Sequence, residues 1–255
     1  MSVSHKKFEA KTAIVTGAAG GVGAALVRRL IDEGANVVAV DIRTDELTEA
    51  ISAYPADRVA GVTADISTEA GWDLCVKSAV DKFGGVHLLV NNAAVLEKKR
   101  CPIYQMPVEE FDRIFAINTR SVFLGLRAVM AQMIKQGLGG AIVNVASMAA
   151  MRARATAGLY GASKRAVVGL SNAAALEGGQ FDIRVNCICP GPIDTMMAGT
   201  IKSAEPAVIA ERFAGRALPR FGTPEEISNF ITYLLSDEAS YQTGGVYTID
   251  GGAIV

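Results

Sequence analysis

The stretch Thr16-Gly17-Ala18-Ala19-Gly20-Gly21-Val22-Gly23 decides how the chain folds. It follows a short β-prone run, residues 12–16, and opens a helical pattern over residues 22–33. Glycines at a strand–helix junction let the backbone turn tightly and approach a pyrophosphate, which then rests on the helix N-terminus. Glycine-rich turns are common, so it is the position of this one that predicts a dinucleotide site.

Strand-like apolar runs alternate with helical patterns along the rest of the chain. The further predicted strands are residues 36–40, 59–62, 86–90, 141–145, 183–188 and 246–249, and the further predicted helices are residues 71–82, 108–136, 157–177 and 224–235. Nearly apolar strands separated by helices indicate a parallel sheet covered on both faces. We therefore predict one α/β domain over residues 1–255, a Rossmann fold with a doubly wound parallel sheet of about seven strands. Thr223, Pro224 and Glu226 form the pattern of an N-cap, a first-turn proline and a capping box.

Composition narrows the class of protein. The chain has 255 residues, half of them apolar, and a formal net charge of −1, which argues against nucleic acid or an anionic membrane as the main partner. Residues 1–11 lack the apolar core of a signal peptide, and no uninterrupted apolar stretch reaches the roughly 18–20 residues that a membrane span needs. The four cysteines and two histidines form neither a disulfide framework nor a metal-site pattern. We expect a soluble, cytoplasmic protein without a metal, in which Cys187 and Cys189 are buried thiols.

Tyr160 and Lys164 are candidates for acid/base chemistry. Residues four apart lie on one face of a helix, and an ammonium beside a phenol favours the phenolate and lowers its pKa. A lone pair of this kind is common by chance, and a packed tyrosine next to a surface lysine explains it equally well. Ser147, upstream of both, adds a hydroxyl that would stabilise charge on a reacting oxygen.

Polar residues follow several predicted strands, where a parallel sheet has its ligand crevice. Asp41 follows the second strand, where a carboxylate accepts hydrogen bonds from an adenosine ribose and repels a 2′-phosphate, so NAD is favoured over NADP. A helix cap is the alternative for Asp41, and we interpret Arg43 as a solvated or adenine-stacking side chain. Asp65 follows the third strand and Asn91-Asn92-Ala93-Ala94 the fourth. Asn118 lies in a helical pattern where its propensity is poor.

Taken together, these motifs resemble those of the short-chain dehydrogenase/reductase family over nearly the whole chain. The first stretch is similar to the family's TGxxxGxG turn, and Asn91-Asn92-Ala93-Ala94 is similar to its NNAG motif, with Ala94 in place of glycine. Pro190-Gly191-Pro192-Ile193-Asp194-Thr195 resembles the segment that holds the nicotinamide carboxamide. The resemblance assigns a catalytic tetrad: Asn118, Ser147, Tyr160 and Lys164. It assigns these cofactor-binding residues: Gly17, Gly21, Val22, Gly23, Asp41, Asp65, Ile66, Asn92, Ala93, Tyr160, Lys164, Pro190, Gly191, Ile193 and Thr195.

The resemblance also implies roles for these residues. Tyr160 would be the general acid/base, and Lys164 would in addition bind the nicotinamide ribose. Asn118 would hold a water that links Lys164 to solvent, Asp65 would contact the adenine, and Ile193 and Thr195 the carboxamide. The implied enzyme is an NAD-dependent dehydrogenase or reductase acting on a secondary alcohol or ketone. The alternatives are an NADPH-dependent reductase of the 3-oxoacyl type and a non-catalytic cofactor-binding scaffold.

The resemblance further implies an assembly and a substrate-covering segment. Family members are commonly homotetramers, with a homodimer as the alternative, and residues 244–255 would lie at an interface. Residues 194–220 resemble the segment that covers the substrate, with Met196, Met197 and Ile201 as an apolar lid. Arg152 and Arg154 would meet an anionic group of the substrate or, as we favour, are solvated surface arginines.

Overall fold

A parallel seven-stranded sheet lies at the centre of the computed structural model, which describes residues 6–195, 199 and 213–254. Its strand order is β3-β2-β1-β4-β5-β6-β7. The strands are β1 Thr12–Thr16, β2 Asn36–Asp41, β3 Val59–Thr63, β4 Leu88–Asn91, β5 Gly140–Val145, β6 Ile183–Pro190 and β7 Val246–Ile249. The helices are α1 Gly21–Asp32, α2 Thr44–Ile51, α3 Glu69–Phe83, α4 Val108–Phe115, α5 Ser121–Gln136, α6 Gly158–Gly178 and α7 Pro224–Leu235.

Two hydrophobic cores lie on opposite faces of the sheet. Along β1, Ile14 joins one core while its neighbours Ala13 and Val15 join the other, as the alternation of side chains along a strand requires. Helices α3, α5 and α6 contribute to the Ile14 core, and α1, α2 and α7 contribute to the Val15 core. The predicted doubly wound Rossmann architecture is confirmed.

Several element bounds differ from the prediction for local reasons. Strand β4 begins at Leu88 rather than residue 86, because the side-chain amide of Gln136 hydrogen-bonds both backbone groups of Val86 in place of a neighbouring strand, at 2.9 and 2.8 Å. Helix α2 was not predicted, although Asp45 and Glu46 in its first turn are favourable at a helix N-terminus. The predicted helix over residues 108–136 is interrupted by a π-helical turn, Ala116–Arg120, between α4 and α5.

Helix α7 begins as its sequence indicates. The Thr223 hydroxyl accepts a hydrogen bond from the Glu226 amide at 3.2 Å, and the Glu226 carboxylate accepts one from the Thr223 amide at 2.8 Å. These two reciprocal hydrogen bonds confirm the capping box, and Pro224 follows the cap directly. This start fixes α7 against α1, the helix that leaves the glycine-rich turn.

Among the described residues, one helical segment has the length and mean hydropathy of a membrane span, Val108–Gln136. Arg113, Arg120 and Arg127 interrupt it, and one face of α5, including Leu126, Val129 and Met133, lies in the core beside α3, whereas Phe123 and Ile134 are exposed. A core helix therefore accounts for its composition. Cys187 and Cys189 are buried thiols, as predicted, and no cluster of metal-ligating side chains occurs within the described ranges.

Candidate active site

The glycine-rich turn is shaped by two kinds of constraint. Gly17 and Gly21 have φ angles of +70° and +55°, which side chains other than glycine rarely adopt. A Cβ atom on Gly23 would lie 2.0 Å from the Gly17 carbonyl oxygen, so this position brings α1 and the turn into direct backbone contact. The turn therefore leaves an open cradle at the N-terminus of α1, with Val22 half-buried beside it, and fits a pyrophosphate.

Thr16 and Asn92 join this turn to the loop after β4. The Thr16 hydroxyl oxygen accepts hydrogen bonds from the amides of Asn92 and Ala93, at 3.0 and 3.1 Å. The Asn92 side chain donates to the Thr16 carbonyl at 2.9 Å. Ala94 has no positive φ angle, so its methyl group replaces the family's glycine without backbone strain. The predicted sites at Gly17 and Asn92 are thus parts of one rigid arrangement.

Asp41 lies at the end of β2 with 8% of its surface exposed. Its carboxylate accepts hydrogen bonds from the amide of Ala19, within the glycine-rich turn, and from the amide of Arg43, both at 3.1 Å. Arg43 Nε also donates to it at 3.1 Å. Burial opposes ionisation, but the hydrogen bonds from Arg43 and Ala19 outweigh it and lower the pKa of Asp41. The Arg43 guanidinium is thus paired with Asp41 while 39% of its side chain is exposed, and adenine stacking stays a prediction.

The remaining cofactor candidates lie at the carboxyl ends of β3 and β6. Asp65 is exposed, and its carboxylate accepts hydrogen bonds from the amide and hydroxyl of Ser67, at 2.9 and 2.7 Å; Ile66 beside it packs against the core. Thr195 lies over the glycine-rich turn, its Cγ2 being 3.0 Å from where a Cβ of Gly21 would lie. Pro190, Gly191 and Ile193 lead the chain from β6 to that point. Met196, Met197 and Ile201 lie outside the described residues.

Three members of the predicted tetrad lie close together, two of them, Tyr160 and Lys164, on helix α6. The Tyr160 hydroxyl lies beside the side chain of Ser147, which precedes a short helical turn after β5. The Nζ atom of Lys164 lies 6.0 Å from the centre of the Tyr160 ring and donates to the carbonyl of Val145 at 2.7 Å. Lys164 is 1% exposed, so it is not the surface lysine of the alternative reading.

The electrostatics of this group differ from our expectation. Burial lowers the pKa of Lys164 to about 8 and raises the pKa of Tyr160 above its ordinary value. The hydrogen bond from Ser147 lowers the pKa of Tyr160, whereas the nearby Glu97 carboxylate raises it further. The predicted lowering of the pKa of Tyr160 is therefore not found, because desolvation disfavours the phenolate.

Asn118, the fourth tetrad candidate, lies in the π turn and is fully buried. Its side chain accepts a hydrogen bond from the Val95 amide at 2.8 Å and donates to the Val95 carbonyl at 2.9 Å and the Ser163 hydroxyl at 3.1 Å. Both amide hydrogens are therefore used to brace the loop after β4 against α6. This arrangement explains a poor helix former in a helical pattern, and the relay water that we expect Asn118 to hold stays a prediction.

Sequence reasoning missed Glu97, whose carboxylate accepts a hydrogen bond from the Tyr160 amide at 2.7 Å. The available signal was a charged residue soon after a buried parallel strand, at the sheet edge where ligands bind. Arg152 and Arg154 are exposed, which agrees with the reading as surface arginines.

The chain is similar to known proteins in both sequence and fold. A family model described as enoyl-(acyl carrier protein) reductase matches residues 17–253. The chain is 41% identical over 244 residues to a 3-alpha-(or 20-beta)-hydroxysteroid dehydrogenase of Mycobacterium bovis, covering 96% of this chain and 89% of that protein. The crystal structure of levodione reductase matches with a TM-score of 0.89 at 35% identity, covering 96% and 98% of the two chains. A short-chain type dehydrogenase/reductase from Mycobacterium marinum matches with a TM-score of 0.91 at 30% identity, covering 99% and 98%.

Proposed function

The chain belongs to the short-chain dehydrogenase/reductase family, and from this premise we propose that it transfers hydride between NAD(H) and a secondary alcohol or ketone, with Tyr160 as the general acid/base. It is an oxidoreductase that uses a nicotinamide cofactor and acts on a small-molecule alcohol or ketone. The preference for NAD, the site residues and the assembly are the parts that we propose. The placement of Ser147 and the buried Lys164 beside Tyr160, at the carboxyl edge of the sheet, is the observation that carries the catalytic part.

The chemistry follows from the placement of these side chains. The nicotinamide, when bound, supplies the hydride acceptor or donor. Ser147 donates a hydrogen bond to the reacting oxygen and stabilises the charge that develops there. Tyr160 removes the proton of the alcohol in oxidation and returns a proton to the carbonyl oxygen in reduction. The buried Lys164 ammonium supplies positive charge behind the tyrosine ring.

Asp41 carries the proposed preference for NAD. Its carboxylate lies against the amide of Ala19 in the cradle, where the adenosine ribose of the cofactor is expected. A 2′-phosphate there would meet a negative charge. In this fold a nearby arginine can accommodate such a phosphate. Here the Arg43 guanidinium already donates hydrogen bonds to the Asp41 carboxylate, at 3.1 and 3.3 Å. NADP binding would therefore have to break this pair.

Calorimetric titration with NADH and NADPH tests this proposal. We expect the wild type to bind NADH at least about tenfold more tightly, and Asp41→Ala to erode that preference by a similar factor. Asp45→Ala, at an exposed carboxylate in the first turn of α2, is the matched control and should keep the preference. Tighter binding of NADPH by the wild type would overturn the argument from Asp41 and favour the 3-oxoacyl type of reductase. Binding of neither nucleotide would refute the proposed function.

Turnover is tested by screening cyclic and acyclic secondary alcohols with NAD. The names of two relatives, a hydroxysteroid dehydrogenase and a levodione reductase, support this class of substrate. Tyr160→Phe should still bind the nucleotide and lose activity, because the substitution removes the hydroxyl that accepts and donates the proton. A Tyr160→Phe variant with wild-type activity would contradict the assigned role.

We also propose a homotetramer in the cytoplasm. Phe115, Phe123 and Leu170 line an apolar surface groove between the α4–α5 segment and α6, and a second copy of the chain would cover it. Residues 244–254, next to the edge strand β7, offer a second contact, as the family resemblance implies. Light scattering on the purified protein tests the assembly, and Phe123→Glu should shift it to a smaller species. A monomeric wild type would refute it.

A further inference from the structure

The loop after β4 is held in place on both sides of Glu97. Asn118 binds both backbone groups of Val95, as described above. Arg113 donates to the Leu96 carbonyl at 2.7 Å, and Glu110 accepts a hydrogen bond from the Lys98 amide at 2.7 Å. Arg113 and Glu110 are in turn paired with each other at 2.7 Å. Each immediate neighbour of Glu97 is therefore fixed to helix α4.

Glu97 uses this fixed position to hold the start of α6. The Tyr160 amide lies in the first turn of α6, where backbone N–H groups lack partners within the helix. The N-cap residue, Ala157, has no side chain that could accept from them. Glu97 Oε1 accepts from Tyr160 N at 2.7 Å and so supplies a carboxylate where the helix dipole favours one.

The same carboxylate brings negative charge close to the Tyr160 side chain. The other groups that face Tyr160 are Ser147 from the segment after β5, Cys189 from β6, and Lys164 from α6 itself. Lys164 directs its ammonium to the Val145 carbonyl. Arg113 forms its ion pair with Glu110 and interacts with Glu97 only through space.

We propose that Glu97 is a positioning residue for this reaction, whose carboxylate fixes the backbone of Tyr160 from the loop after β4 and places a negative charge beside the phenol. The inference rests on the proposed function for its kinetic consequence. That charge opposes formation of the phenolate and so delays alcohol oxidation to higher pH, because oxidation needs Tyr160 as a base.

Three substitutions separate the charge of Glu97 from its hydrogen bond. Glu97→Gln keeps an oxygen acceptor for the Tyr160 amide and removes the charge, whereas Glu97→Ala removes both. Glu109→Gln, at an exposed residue in the first turn of α4, is the matched control for charge. The ultraviolet absorbance of tyrosinate, titrated with pH, reports the ionisation of Tyr160 after subtraction of the same titration for Tyr160→Phe.

We expect Glu97→Gln to move this ionisation to lower pH, because a negative charge beside the phenol disfavours the phenolate, with an unchanged thermal midpoint. Glu97→Ala should show the same shift and a lower thermal midpoint. Glu109→Gln should titrate like the wild type. Coincident titrations of Glu97→Gln and the wild type would overturn the inference, since a merely structural role leaves the ionisation where it is.

The kinetic readout distinguishes this inference from the proposed function. With an active secondary alcohol, the acid limb of the kcat profile for oxidation should move downward with the spectroscopic titration, while KM changes little. If no alcohol is oxidised but the titration still shifts, the proposed function fails and the placement of Glu97 beside Tyr160 stands. If oxidation occurs and its acid limb does not move in Glu97→Gln, the inference fails and the function stands.

Discussion

Replacing Gly23 by alanine tests whether the contact between α1 and the glycine-rich turn creates the nucleotide cradle. The added methyl carbon would lie 2.0 Å from the carbonyl oxygen of Gly17, 2.7 Å from its carbonyl carbon and 3.0 Å from the side-chain nitrogen of Asn92. The first two are backbone atoms of the turn itself. They cannot rotate away as a flexible side chain would, so α1 and the turn must move apart.

The size of this movement sets the expected cost. An ordinary carbon contact begins at 3.4 Å, so the backbone must open by more than an ångström. Overpacking of this kind costs about 1–3 kcal/mol in the free energy of unfolding. A similar loss of about 2 kcal/mol in nucleotide binding corresponds to a roughly 30-fold weaker affinity, because the displaced amides no longer converge on the pyrophosphate.

Urea unfolding and calorimetric titration with NADH measure the two effects. Gly20→Ala is the matched control in the same turn, because a Cβ there has no atom within 4 Å and its φ angle of 176° suits any residue. We expect the control to retain stability and affinity. Wild-type values for Gly23→Ala, or equal losses in both variants, would refute the reasoning from the backbone contact.

Three further changes test residues outside the glycine-rich turn. Burial lowers the pKa of Lys164 to about 8, so between pH 8 and 10.5 the unfolded state binds one more proton than the folded state. The free energy of unfolding of the wild type, measured in urea, should therefore rise by roughly 3 kcal/mol over this range of pH. Lys164→Met should not show this rise. His87 Nδ1 accepts a hydrogen bond from the Thr12 amide at 3.0 Å and burial lowers its pKa, so stability should fall as the pH decreases below about 6.5. His87→Gln should flatten that decline, and an unchanged decline would exclude His87 as its source. Gly125→Ala would place a carbon 2.5 Å from Trp72 and should lower the free energy of unfolding by about 1–3 kcal/mol; a thermal midpoint equal to that of the wild type would contradict this.

The sheet was predictable because its physics is local to each strand. Residues 36–40 are nearly all apolar, and this pattern occurs where both faces of a strand are covered. Val86, the first residue of the predicted fourth strand, is equally apolar, yet its backbone bonds to the side chain of Gln136, fifty positions along the chain. No pattern within residues 86–90 contains that partner. Long-range side-chain contacts of this kind set element ends.

The candidate site was predictable in its residues and less so in their interactions. Asp41 and Arg43 are two positions apart, but only the folded turn shows that the Arg43 guanidinium and the Ala19 amide both donate hydrogen bonds to the Asp41 carboxylate. The direction of the pKa shift of Tyr160 also depends on burial and on Glu97, which comes from a different segment. Spacing places chemical groups on one face of a helix, whereas the environment of those groups comes from elements distant in sequence.

The π turn at Ala116–Arg120 has a consequence for how this region can change in evolution. A helix advances about 100° per residue, so one extra residue within a turn rotates everything before it relative to everything after it. Deleting one residue there would swing α4 around its axis and carry Arg113 away from the Leu96 carbonyl. The number of residues between Arg113 and Asn118 therefore cannot change without the loss of these contacts.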